Sequence, residues 1–131
     1  MKTSEFRKLI REEVKKILIE GTRSMVGIEL PGGKVSSIYV QYDGYLAGVG
    51  KKLKNKYKDP NIVKKLINIG DVKSIEDSIE LTEPGKFNKK GKTVPGDEFI
   101  EYAYKNGAEY MYLFKDGNWL YSKSGKPWKK V

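Results

Sequence analysis

The stretch Glu109–Ser122, EYMYLFKDGNWLYS, decides how this chain folds. Asp116-Gly117 in its middle is the signature of a two-residue type I′ hairpin turn. Such a turn sets Phe114 opposite Trp119 and Tyr112 opposite Tyr121, with all four on one face and Tyr110 beyond them. Met111, Leu113 and Leu120 then share the other face. Apolar side chains on both faces leave two readings: a strand pair covered on both sides, or one face kept for a ligand. Aromatic cross-strand pairs stabilise a hairpin by about 0.2–1 kcal/mol each, and the same rings can stack unpaired bases. A small α+β sheet must be covered by its helices, so the core reading of Tyr112, Phe114, Trp119 and Tyr121 is preferred.

Working outward, Phe99, Ile100, Ala103 and Tyr104 predict a helix capped by Asp97 and closed by Gly107. Residues 82–96, TEPGKFNKKGKTVPG, predict a long exposed basic loop, and the tail KSGKPWKKV a loose end. Upstream, 23–30 and 34–42 predict two strands joined at Gly32-Gly33. Leu46, Val49, Leu53 and Tyr57 share one side of a following helix. A second helix starts at Asp59-Pro60, as N-cap and first-turn proline, buries Ile62, Val63, Leu66 and Ile67, and ends at Gly70. Phe6, Leu9, Ile10, Val14, Ile17 and Leu18 form the stripe of a separable N-terminal amphipathic helix within residues 1–20. The expected fold is therefore α+β: an antiparallel sheet from two hairpins packed against two or three helices, forming one domain over 21–131.

Composition narrows the chemistry. The 131 residues include no cysteine and no histidine. That removes disulfides, thiolate nucleophiles, imidazole bases and the usual zinc and iron ligands, so no metal or cofactor is expected. No apolar run approaches the roughly 20 residues of a membrane span, and Glu12, Glu13, Lys15 and Lys16 interrupt any signal-peptide core; no membrane partner is expected. Residues 1–20 hold six basic and four acidic side chains, which leaves +7 of the net +9 to the body of the chain. A basic body favours polyanions, although lysine-rich surfaces also serve solubility.

A candidate anion site is the 41–51 turn. Gln41, Tyr42, Asp43, Tyr45, Gly48, Gly50 and Lys51, with Arg23, surround glycines that open a helix, where backbone N–H groups can meet a phosphate. The spacing is neither a P-loop nor a dinucleotide fingerprint, and glycines that let a strand turn sharply into a helix are the preferred reading. Asp43, Asp71, Asp97 and Glu98 fall at no paired spacing, and the serines lack an evident base. No catalytic residue is assigned, and no enzyme activity is expected.

The segment TRSMVGIELPGGKVSSIYVQYDGYLAGVGKKLKNKYKDPNIVKKLINIGDVKSI resembles a widespread family of small phage and bacterial proteins to which no activity is assigned. The matching positions are Thr22, Arg23, Ser24, Tyr39, Asp43, Gly44, Tyr45, Gly48, Val49, Gly50, Gly70, Asp71 and Ser74. GAEYMYLFKDGNWLY is similar to the aromatic hairpin that ends many members. The chain departs from the pattern at Gln41, where histidine is usual, and at Leu46, where proline is usual. The resemblance implies a context rather than a mechanism.

Residues 1–20, MKTSEFRKLIREEVKKILIE, resemble the capsid-targeting peptides of internal head proteins of T-even-like phages. That resemblance implies binding to the phage scaffold and removal by a prohead protease after Leu18-Ile19-Glu20, before Gly21. The tripeptide pattern recurs at Ile10-Arg11-Glu12 and Leu81-Thr82-Glu83, so its position at the domain boundary carries the weight. An ordinary helix that docks on the sheet or mediates oligomerisation is the alternative.

These readings converge on a phage internal head protein. It would be packaged with DNA in the capsid interior, delivered to the host cytoplasm, and act there by binding a host protein target such as a defence or nucleic-acid enzyme. Alternatives are an intracellular phage protein that sequesters a nucleotide or small anionic signal, or a non-specific nucleic-acid binder using GKKLKNKYK, GKFNKKGK and KPWKK.

Overall fold

The computed structural model describes residues 22–84 and 91–131. The expected N-terminal helix and the processing site at Leu18, Glu20 and Gly21 lie outside the described residues, as does the middle of the 82–96 stretch.

Both predicted hairpins form. β1 (Ser24–Glu29) and β2 (Lys34–Val40) pair antiparallel across the Gly32-Gly33 turn. β4 (Tyr110–Lys115) and β5 (Asn118–Lys123) pair with Phe114 opposite Trp119 and Tyr112 opposite Tyr121. Asp116 and Gly117 both adopt positive φ, at 51° and 77°, as a type I′ turn requires.

The sheet differs from expectation at its centre. Its order is β3-β2-β1-β4-β5-β6, and β1 lies parallel to β4, with Ser24 opposite Tyr110. Every other neighbouring pair is antiparallel, so the sheet is mixed. Hairpin signals fix pairing only within each hairpin. How the two hairpins abut is set by the helical crossover between them, which returns the chain to the end of the sheet where β1 begins.

Two short edge strands replace segments expected to be irregular. β3 (Lys92–Pro95) pairs with Lys34–Ser37 of β2, inside the stretch predicted as loop. β6 (Lys129–Lys130) pairs with β5 inside the predicted loose tail. Lysine and proline are tolerated on sheet edges because one side of an edge strand faces water. Trp128 anchors the tail by stacking on Phe99, with ring centroids 6.0 Å apart and planes 17° apart.

Helices cover both faces. A π-helical turn at Leu46–Gly50 runs into α1 (Lys51–Lys56). α2 (Pro60–Ile69) starts as predicted, with an Asp59 carboxylate oxygen accepting from Asn61 N–H at 2.9 Å, and stops at Gly70, φ 89°. α3 (Phe99–Lys105) corrects the expected Asp97 cap: Gly96–Glu98 form a 3₁₀ turn, and Glu98 occupies the cap position without a side-chain cap bond. α1 and α2 bury Leu53, Val63, Leu66 and Ile67 with Tyr57 against Val26, Ile28, Ile38, Val40, Tyr112, Phe114 and Trp119. α3 buries Phe99 and Ala103 against Met25, Val35, Met111 and Leu113 on the other face.

Candidate polyanion interface and the glycine turn

The 41–51 turn is tied down by its own backbone. The N–H groups of Gln41 and Tyr42 donate to the Val72 and Lys73 carbonyls, at 3.1 and 2.7 Å. Gly44 N–H donates to Thr22 O, Gly48 N–H to Tyr45 O and Val49 N–H to Asp43 O, at 3.0, 3.0 and 2.9 Å. Lys51 N–H bonds back to Gly48 and Leu46 carbonyls. These amides are satisfied internally, so the phosphate-cradle geometry expected of a glycine-rich helix start is not presented.

Close packing accounts for two of the glycines. A Cβ on Gly44 would meet Ser24 Cβ at 2.8 Å and Thr22 O at 2.9 Å. One on Gly50 would meet Leu46 Cδ1 at 2.9 Å and the Tyr112 ring at 3.1 Å. The turn is thereby pressed onto the sheet, where the buried Tyr112 hydroxyl donates to Gly44 O at 2.8 Å. Burial drives the Tyr112 hydroxyl far above its ordinary value of 10.0.

The candidate binding residues do not meet at one site. Exposed Lys51 opens α1 on one side of the sheet. Arg23 belongs to the other: its guanidinium lies beside the Tyr39 hydroxyl, and its carbonyl accepts from Glu109 and Tyr110 N–H at 2.9 and 3.3 Å. Asp71, expected only to follow a helix-ending glycine, accepts from Tyr39 N–H at 2.9 Å. Burial raises the Tyr39 hydroxyl, an effect that Arg23 opposes. Tyr102 is likewise raised by burial and secondarily by Asp71. This polar cluster was missed in sequence because its members come from the residue before β1, from β2, from α3 and from the segment after α2, with no local spacing to mark it. Tyr42 is exposed, while Gln41, Asp43, Tyr45 and Gly48 are half-buried.

The aromatic face of the hairpin is core. Tyr112, Phe114 and Trp119 are buried and Tyr121 is half-buried. Trp119 Nε1–H donates to Tyr57 O at 2.8 Å, and its ring tilts against Phe114 at 5.1 Å. No room remains there for a base. An open depression of about 240 Å³, lined by Ser36, Ile67, Asn68 and Gly91, carries no titratable side chain in that lining. Among the described residues, no group of three acidic or metal-ligating side chains is placed to hold a metal, and no helix is long and apolar enough to cross a membrane.

The outer surface of the α1–α2 layer remains. Residues 51–65 contain seven lysines against a single acid, Asp59, a net +6. Lys51, Lys54, Lys56, Lys58, Lys64 and Lys65 are exposed. Lys52 pairs with Glu76 at 3.6 Å; among the described residues the other six form no ion pair. Around α3, residues 97–109 hold Asp97, Glu98, Glu101 and Glu109 against Lys105. GKKLKNKYK marked five of the seven lysines of the α1–α2 surface in sequence. Lys64 and Lys65 join it because α2 turns its Val63–Leu66–Ile67 side inward.

Comparison of the chain with protein-family models, curated proteins and solved structures gives no match.

Proposed function

We propose that this protein is a basic cargo protein, carried with a phage genome inside the head and acting in the host by binding rather than by catalysis. One observation carries the reading: residues 51–65 carry a net +6 on the outer surface of α1–α2, where six exposed lysines lack acidic partners among the described residues. Concentrated unpaired lysine attracts a polyanion and is compatible with a compartment filled with DNA. The amphipathic peptide of residues 1–20, with Leu18-Ile19-Glu20 before Gly21, is the proposed address for the scaffold and the prohead protease. A host-protein target in the cytoplasm is the proposed endpoint. The nucleotide alternative draws no support from the 41–51 amides, which are bonded internally.

Mass spectrometry of purified virions tests the reading. The expected finding is the chain in virions with Gly21 as its first residue. Its absence from virions, or its presence there with residues 1–20 intact, would overturn packaging as cargo.

A further inference from the structure

We infer that the α1–α2 lysine surface binds the phosphate backbone of double-stranded nucleic acid, without sequence preference. The inference rests on the polyanion reading above and names the polyanion.

Two observations lead to it. First, the surface is dominated by ammonium groups. Its exposed chains are six lysines with Asn55, Asp59, Pro60, Asn61 and Asn68; it carries no arginine, which is the usual bidentate reader of guanine edges. Lysine acts on phosphate as a point charge and fixes no sequence.

Second, the surface lacks a stacking platform. Sequence-tolerant single-strand binding needs aromatic rings on which successive bases lie. The large exposed apolar side chains among the described residues are Tyr42, Leu81 and Tyr104, and none belongs to α1 or α2. Tyr57, the aromatic residue just past α1, is buried, with its hydroxyl donating to Glu76 O at 2.8 Å. The hairpin rings are already engaged: Tyr110 stacks on Tyr112 at 6.2 Å and carries Lys123 Nζ at 5.6 Å. What remains is attraction to charge density, and the duplex is the denser line of charge, about one phosphate per 1.7 Å of axis.

The test is fluorescence anisotropy with the full chain. The probes are two labelled duplexes of unrelated sequence and a single strand of equal length, each followed through a salt series. Duplexes should bind equally and more tightly than the single strand. With six lysines engaged, duplex affinity should fall about a thousandfold between 50 and 200 mM salt. Lys54→Gln/Lys58→Gln/Lys64→Gln, all at exposed positions, should roughly halve the slope of log affinity on log salt. Glu98→Gln/Glu101→Gln should leave that slope unchanged, and near-UV circular dichroism checks that each variant is folded. Tighter single-strand binding, unequal duplexes, or a triple variant with unaltered slope would overturn the inference. A chain found in virions that fails here loses only the duplex assignment; one that binds duplex yet is absent from virions loses only the packaging.

Discussion

The two faces of the sheet solve the same burial problem with different materials. Toward α1 and α2 the sheet presents large aromatic residues that are hydrogen-bonded as well as packed: Tyr112 to Gly44 O and Trp119 to Tyr57 O. Toward α3 it presents Met25, Val35, Met111 and Leu113, closed by Phe99, Ala103 and the half-buried Trp128. The first face locks loops to strands through specific polar bonds. The second relies on apolar contact and a terminal strap. Over the first lies the lysine-rich outer surface of α1–α2. The hydrogen-bonded anchors Tyr112 and Trp119 and those lysines therefore lie on the same side of the sheet.

The comparison predicts unequal tolerance to truncation. Trp119→Ala removes a buried indole and leaves Tyr57 O without its donor, and should cost about 3–5 kcal/mol in urea unfolding. Trp128→Ala, at a half-buried ring on the other face, should cost about 1–2 kcal/mol. Equal losses would show that the two faces contribute alike and break the distinction.

A narrower probe separates packing from hydrogen bonding within the first face. Tyr112→Phe keeps the ring and strands Gly44 O, which should cost about 1–3 kcal/mol at neutral pH. Its pH dependence adds a second readout. Burial holds the Tyr112 hydroxyl protonated well beyond its ordinary value of 10.0. The stabilising contribution of the protonated form is thus complete below pH 10 and is lost as pH rises past it, because the unfolded tyrosine ionises while the folded one does not. Wild type should lose stability steeply above pH 10, and Tyr112→Phe less steeply. Tyr57, also raised by burial, should keep the variant's alkaline loss from vanishing. An unchanged alkaline slope in Tyr112→Phe would remove Tyr112 as the main source.

How far the sequence revealed this arrangement depends on how local each signal was. Asp116-Gly117 set the register of the second hairpin correctly down to the Phe114–Trp119 pair, because a two-residue turn leaves one register. Asp59-Pro60 and Gly70 marked both ends of α2, since capping is a local matter. The parallel join of β1 to β4 was not legible, because no residue in either strand encodes which hairpin edge meets which. β3 and β6 were hidden by lysine, glycine and proline, which resemble a loop when nothing shows that one side of the strand is paired. The 41–51 turn allowed both an anion cradle and the preferred structural reading, because glycines before a helix serve either purpose. Only the destination of each N–H, at Thr22, Tyr45 or Asp43, separates the two. Most of the lysine layer was legible: five of its seven lysines are visible in the run GKKLKNKYK, whereas Lys64 and Lys65 join it only once α2 is laid beside α1.

The smallest expected effect concerns the charges themselves, and it sharpens the contrast between the outer surfaces. Two ion pairs anchor to α1 and α3 respectively. Lys105–Glu101 lies on α3 at 2.9 Å, with side chains 72% and 70% exposed, four residues apart on one helix. Lys52–Glu76 is longer, at 3.6 Å, but its side chains are only 35% and 38% exposed, and it ties α1 to the segment after α2. Glu76 also accepts from Ser74 Oγ at 2.6 Å, which holds its carboxylate in place. An exposed i,i+4 pair is worth about 0.3–0.5 kcal/mol, and a better-anchored pair approaches about 1 kcal/mol. Glu76→Gln should therefore destabilise more than Glu101→Gln despite the longer contact, when both are followed by urea unfolding at low salt. Raising the salt should erase the Glu101 effect and leave part of the Glu76 effect, because partly buried charges are screened less. If both effects vanish together, Lys52 is as solvated as the other lysines, and the α1–α2 surface is one uniform field of seven cations rather than six free ones beside a structural pair.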